Sequence, residues 1–335
     1  MTRPRTLAKT SPLIVILVLL VIASAFASLL LGTVPISPMR VIGALLGQAD
    51  YVASVIILDL RLPRTLLALM VGAMLGIAGA ALQGYLRNPL AEPSVLGASN
   101  SAALGAVIAL YFGFASLHPA TLPLLAIVCA LIALGLVFLL SGRSESSLTL
   151  ILAGIAISTL AGAGISLALN LSPNPFAAME IMNWLLGSLE NRSVDHVLIA
   201  APCIAVGLAL LLVDGRALDA LTLGEDGARA LGADLASIRL RLLLGIGIGV
   251  GGAVAVSGAG GFVGLIVPHL VRPLTDRAPS SVLLPSALGG AILLVLADVG
   301  VRLIPSTNEL KLGVVTAFLG IPIFIALLLK ERRIW

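Results

Sequence analysis

The sequence is poor in charge, in aromatic rings and in cysteine. Only 11% of its 335 residues are charged and 4% are aromatic. A water-soluble domain of this size needs more polar surface, so that class is excluded. The two cysteines, Cys129 and Cys203, sit in apolar runs with no CxxC spacing, which gives no metal or redox motif. The three histidines, His118, His196 and His269, are scattered, and no HExxH occurs. No bound metal or other cofactor is therefore expected. No GxxxxGK[ST] occurs either, so the chain has no P-loop of its own to cradle ATP. The formal net charge is +4 without any basic-aromatic patch, which points to basic loops at a membrane rather than to nucleic acid.

What the sequence has is apolar length. Hydrophobic residues make up 59% and the mean hydropathy is +1.14, the composition of a polytopic membrane protein. The apolar runs are continuous rather than alternating, which excludes a β-barrel. A helix needs about 20 apolar residues to cross the hydrocarbon core. That rule gives an all-α fold of about ten spans, near 11–32, 65–86, 94–112, 121–140, 147–170, 194–213, 238–257, 260–272, 281–301 and 312–330. The eighth is short and begins in a glycine cluster. The first follows Arg3, Arg5 and Lys9 and contains "ASAFAS", as a signal peptide would. Its length favours an uncleaved helix, because signal cores are shorter.

Basic residues orient the chain. With the N-terminus in the cytoplasm, Arg40, Arg61, Arg64, Arg192, Arg302 and Lys311 fall outside, and the remaining 14 of the 20 Lys and Arg fall inside. That excess places both termini in the cytoplasm. Arg61 and Arg64, in "DLRLPRT", are then outside, with Pro63 suited to the first turn of a helix.

The glycines, 35 in number, suit helices that pack closely through small residues. Gly247-x-Gly249-x-x-Gly252 formally matches a dinucleotide fingerprint, but it lies within an apolar helix and no acidic residue follows at the required distance. Close helix packing is the expectation there and at Gly72-x-x-x-Gly76. The predicted span centres hold no Asp, Glu, Lys or Arg; Asp298 and Arg302 lie near the outer end of the ninth span, and Glu180 lies beyond the fifth. This weakens an ion-coupled secondary transporter, the competing reading.

Two polar stretches lie between spans. The outer one covers 33–64. The cytoplasmic one, 214–237, "DGRALDALTLGEDGARALGADLAS", carries Leu218, Leu221, Leu223, Ala228, Leu231 and Leu235 among charges, punctuated by Gly224 and Gly232. It reads as two short amphipathic helices, with Glu225 and Asp226 suited to the N-terminal turn of the second. A surface-lying helix and a docking site for a cytoplasmic partner both fit these residues. The run 82–105, "LQGYLRNPLAEPSVLGASNSAALG", is dense in proline, glycine and polar residues, which suits either a capped loop or a constrained re-entry.

Four segments now carry a resemblance. "RLPRTLLALMVGAMLGIAGAALQGYLRNPLAEPSVLGASNSAALGA" (61–106), "LGEDGARALGADL" (223–235), "GFVGLIVPHLVRPL" (261–274) and "LADVGVRLIPSTNELKLGVVTAFLGIPIFIALLLK" (296–330) stand in the order of one family. The chain resembles the permease subunit of bacterial ABC importers for iron-siderophores, haem and cobalamin, from about residue 55 onward. The resemblance implies a single multi-pass permease domain over 1–335 in the bacterial cytoplasmic (inner) membrane, without ATPase activity of its own. It implies a second permease subunit (an identical copy or close paralogue), two cytoplasmic ATPase subunits and a substrate-binding protein, with iron-siderophore the commonest substrate in the family. It makes 214–237 the coupling segment, with Leu223, Gly224, Glu225, Asp226, Ala228, Arg229, Leu231 and Gly232 at the ATPase. It gives Arg61, Arg64 and Arg302 to docking of acidic groups on the binding protein, as one external basic patch. It implies that the fifth span and the following short helix, around "MNWLLGSL" (182–189), help line and gate the pathway. Lys311 departs from the family, which commonly has proline there.

Overall fold

The computed structural model describes residues 7–32, 34–118, 120–141, 147–304 and 309–331. The basic residues Arg3, Arg5, Arg143, Arg332 and Arg333, counted above for orientation, lie outside the described residues.

The described chain is helical throughout. In order run α1 (Leu7–Leu30), α2 (Pro38–Leu45), α3 (Tyr51–Leu86), α4 (Ala98–Tyr111), α5 (Thr121–Ser141), α6 (Ser147–Asn170) and α7 (Pro175–Leu185). Then come α8 (Val194–Val213), α9 (Gly215–Leu221), α10 (Glu225–Ala230), α11 (Leu235–Ser257), α12 (Val263–Val271), α13 (Pro279–Leu303) and α14 (Leu312–Glu331).

A helix lies at each of the ten expected spans. Seven of them, α1, α3, α5, α6, α8, α11 and α13, are long and apolar enough to cross a bilayer. Described stretches of α4, α12 and α14 are shorter apolar helices. The nine residues of α12 extend by only one 3₁₀ turn, Arg272–Leu274, too short for a full crossing.

The outer stretch 33–64 differs from expectation. It contains α2, and its second half is already α3, a helix that continues to Leu86. Residues Val55–Arg61 of α3 wind as a π-helix, and the Leu62 N–H reaches five residues back to Ile57 O. Pro63 has no N–H and its ring crowds the carbonyl four residues earlier. A widened turn ahead of it relieves that crowding without breaking the helix. Pro63 thus opens regular α winding, but with a helix rather than a loop before it.

The protein is organised around α3, α11 and α13, which are mostly buried, while α1, α5, α6 and α8 turn most of their surface outward. Glycine sets the closest crossing. A Cβ added at Gly72, Gly76 or Gly290 would sit under 3.0 Å from backbone of the opposing helix, so α3 and α13 touch main chain to main chain. The glycines of α11 face side chains in the same way: Gly247 meets Leu134, Gly249 meets Met74 and Gly252 meets Cys203. The formal dinucleotide match is a packing surface.

The 82–105 run is a built turn. Arg87 ends α3 in the left-handed region at φ 50°, and Asn88 Oδ1 accepts from Leu90 N at 2.9 Å. Glu92 is tied to a distant segment, accepting from Phe262 N at 3.0 Å. Asn100 Nδ2 donates to Ser158 Oγ at 2.8 Å, fixing α4 to α6.

Candidate functional site: two ends of one buried helix

The segment 214–237 folds as two short helices, α9 and α10, followed by the start of α11. Its apolar residues divide into two groups. Leu218, Leu221, Ala228 and Leu235 are buried in the core, whereas Leu223 and Leu231 are 69% and 66% exposed. These two leucines flank α10. Gly224 (φ 94°) precedes it, and Gly232 (φ 84°) closes it with Gly232 N to Arg229 O at 2.8 Å and Ala233 N to Ala228 O at 3.0 Å. That pair of bonds is a Schellman motif, which needs the left-handed residue that glycine supplies. Glu225 and Asp226 occupy the first turn, as the helix dipole favours, and Arg229 pairs with Asp226 at 2.9 Å.

This helix pair is pinned to the spans. The buried Asp214 accepts from Arg241 of α11 through both oxygens, at 2.6–3.0 Å. Asp219 Oδ1 accepts from Ser280 N at 2.8 Å and Oδ2 from Ser280 Oγ at 2.6 Å. Ser280 lies in the first turn of α13, where an N–H has no partner within its own helix. A carboxylate there satisfies it and meets the positive end of the dipole. Two charged ties therefore hold the exposed leucines at fixed positions relative to α11 and α13.

At the other end of α13 the three arginines expected to dock a partner converge, but they are not displayed. Arg61 is 6% exposed. Its Nη1 donates to Leu29 O at 2.7 Å and Leu30 O at 3.0 Å, and its Nη2 to Val34 O at 2.5 Å. Arg302 Nη1 donates to Ser28 O and Leu31 O, both at 3.1 Å, and Nη2 to Ser28 Oγ at 2.6 Å. Of these carbonyls, all but Val34 O lie at the C-terminal end of α1, and two arginines from different helices cap them. Arg64 Nε donates to Asp298 at 2.8 and 3.1 Å, and its terminal nitrogens grip both oxygens of Glu309. Asp298 is fully buried and also takes Arg302 Nε at 3.1 Å. The three arginines gather in one cluster with their guanidiniums turned inward: desolvated guanidiniums need acceptors, and this chain supplies them itself.

Sequence reasoning missed the carboxylates of this cluster. Asp298 and Arg302 stand four apart on one helix face, a signal of pairing. Glu309 reaches Arg64 across 245 positions, and nothing local announces it. A cavity of about 360 Å³ lies over the cluster, lined by Arg61, Arg64, Arg302 and Glu309 and by Glu190 and Arg192 from the turn before α8.

Between the two ends, three segments meet at a glycine junction. Leu312 N donates to Gly187 O at 2.9 Å, Gly313 N to Leu186 O at 3.2 Å, and Ser188 N to Ser257 O at 2.8 Å. Gly187 and Gly258 adopt φ 74° and 75° there. The "MNWLLGSL" region is thus tied to the first turn of α14 and the end of α11. An open apolar groove runs beside it, lined by Leu185, Leu186, Val314, Ala317, Phe318 and Ile321 among others.

The profile of the FecCD transport family matches residues 18–330. The chain belongs to that family. It is 39% identical over 322 residues to the vitamin B12 import system permease protein BtuC of Vibrio vulnificus (strain CMCP6), covering 96% of this chain and 94% of that protein. It is 39% identical over 322 residues to the Fe(3+) dicitrate transport system permease protein FecD of Escherichia coli (strain K12), covering 96% and 99%. It is 40% identical over 296 residues to the ABC transporter permease protein YvrB of Bacillus subtilis (strain 168), covering 87% and 83%. Its fold matches a solved inward-facing metal-chelate type ABC transporter with a TM-score of 0.85 at 35% identity, over 95% of this chain and 98% of the other. The FecCD-type chain is accordingly an ABC transporter permease, a multi-pass protein of the inner membrane.

Proposed function

We propose that this permease carries a metal chelate, an iron-siderophore or a haem- or cobalamin-type complex, inward across the cytoplasmic membrane. Two separate ATPase subunits drive it from residues 223–232, and a substrate-binding protein docks over the arginine cavity. The whole chain acts as one permease domain with both termini cytoplasmic. A second permease subunit packs beside it, and the open groove along α14 supports that pairing.

The observation that carries the ATPase assignment is the exposure of Leu223 and Leu231 on a segment that Asp214 and Asp219 fasten to α11 and α13. A surface loop has no need of two salt-bridged or capped anchors, whereas a lever does. Apolar side chains held rigidly in water suit a groove on a partner, and the anchors pass the partner's motion to the spans. An ion-coupled mechanism would want an unpaired carboxylate within the spans; Asp298, near the end of α13, is paired with both Arg64 and Arg302. The relatives named for vitamin B12 and Fe(3+) dicitrate support a chelate as substrate.

Uptake of a radiolabelled ferric siderophore into proteoliposomes tests this. It should require internal ATP, stop with a Walker-lysine variant of the ATPase, and ignore an uncoupler. Uptake that persists without ATP and collapses with the uncoupler would overturn the proposal.

A further inference from the structure

The short helix α2 has two apolar sides, and the rest of the chain covers only one. Val41 and Ala44 are buried. They share a small cluster with Ile36, with Leu29 of α1 and with Ala53 and Ile57 of α3. Met39, Ile42, Leu45 and, just past the helix end, Leu46 are exposed, Met39 to 79% and Leu46 to 66%. At about 100° per residue these four fall on one arc, and Ile42 lies about 200° round the axis from Arg40. Arg40 is exposed as well and pairs with Asp50 at 3.7 Å. Three sides therefore follow in turn around α2. Arg40 marks a charged one, Ala44 and Val41 a buried one, and the arc from Leu45 through Ile42 and Leu46 to Met39 a displayed apolar one. A helix between protein and water needs one apolar side, not two.

What covers the third side follows from where α2 sits. The apolar stretch of α1, Pro12–Leu30, has 19 residues. That is about 28 Å of helix, which matches the hydrocarbon core of a bilayer. Leu30 then stands at the edge of the core, and the shared cluster sets α2 beside that last turn. Leu31 and Val34, both exposed, carry the outward apolar surface of α1 across the connection toward α2. The uncovered side of α2 is thus continuous with a surface that lipid already covers.

We propose that α2 lies along the bilayer surface, with Met39, Ile42, Leu45 and Leu46 sunk into the outer leaflet and Arg40 turned to the headgroups. Its partner is the lipid surface itself. Apolar burial holds the helix down, and the Arg40–Asp50 pair stays in the polar layer. The proposal goes beyond the transport reading and takes from it only which leaflet is outer. Through Ile57, α2 bears on the π-wound start of α3, four residues ahead of the Arg61 that caps α1. Lipid contact at α2 thereby steadies the outer end of the buried helix against which α13 packs.

The test uses the whole chain in phosphatidylcholine vesicles, with Cys129 and Cys203 changed to alanine. A nitroxide is attached at Met39→Cys, Leu46→Cys or Gln48→Cys, one at a time. Its relaxation by dissolved oxygen, which concentrates in lipid, is compared with that by a nickel chelate confined to water. Met39→Cys and Leu46→Cys should respond strongly to oxygen and weakly to the chelate, at a depth of roughly 5–10 Å below the phosphates. Gln48→Cys, in the turn after α2, should show the reverse. Ile42→Asp should lower the melting temperature in vesicles by several degrees, whereas Ile42→Phe should not. A strong chelate response at both 39 and 46 would mean a face left in water for a soluble partner, and would overturn the proposal. A weak response to both reagents would mean cover by another protein surface, such as a second copy of this chain, and would also overturn it. So would an Ile42→Asp protein that melts as wild type. The responses report depth and not side, so failure here leaves the transport reading intact.

Discussion

The two ends of α13 solve opposite problems. At Ser280 the helix meets a segment that ties its charges inward and shows its leucines to water. At Asp298 and Arg302 it meets a cluster that shows almost nothing and stores its charges in mutual contact. Both ends carry residues that a partner could recognise. At the Ser280 end apolar side chains are already displayed. At the outer end the charged groups are occupied, by α1 carbonyls on Arg61 and Arg302 and by carboxylates on Arg64. Exposed apolar surface persists without a partner at modest cost, whereas a buried guanidinium without acceptors costs far more. Charge inside the fold is therefore a poor guide to what faces a partner, and a displayed leucine on a pinned helix is a better one.

The largest expected effect comes from cutting the rod between the ends. Gly290→Leu forces α13 off the backbone of α3 at Gly72, and no stable protein should accumulate in the membrane by immunoblot. Wild-type accumulation would break the idea that one rigid pair serves both ends. Next is Asp298→Asn, which leaves Arg64 and Arg302 without their shared carboxylate. It should cost about 3–5 kcal/mol in detergent unfolding, because an uncompensated buried charge remains. Reversing Arg61 and Arg64 to glutamate belongs with it. The new acids would face Leu29 and Leu30 carbonyls and Asp298, so that pair reports on folding more than on docking.

The Ser280 end should tolerate more. Asp219→Ala removes the bond to the first turn of α13 and should cost about 1–2 kcal/mol while lowering the uptake obtained per ATP hydrolysed. Unchanged coupling would show that the tie to Ser280 transmits nothing. Smallest of all is Asp226→Asn, which breaks a pair whose acid is almost fully exposed and should leave the melting temperature where it was.

These contrasts also mark how far the sequence could be read. Long apolar runs placed a helix at every expected span, because burial in lipid leaves the backbone no other choice. Gly224 and Gly232 delimited α10, because local φ is a local property. Which of the six apolar residues of 214–237 stayed exposed was not legible, since Leu218 is buried through helices over a hundred residues away in sequence, near Gly84 among others. The arginines were legible as a group and not as to state. Apart from the Asp298–Arg302 pair four apart, their acceptors lie on or just past α1, on α13 and ahead of α14, at separations of 27 to 274 positions that no motif encodes. The π-wound start of α3 was likewise hidden, since Pro63 marks a helix start equally well after a loop.

The most direct test of the account is ATPase retention on the proposed coupling segment. Leu231→Asp places a charge where an exposed leucine should enter a partner's groove, and it leaves Asp214, Asp219 and every outer-end contact in place. The account predicts that the permease inserts and melts as wild type but loses its ATPase subunits on affinity purification. Retention of the ATPase at the wild-type level would contradict it.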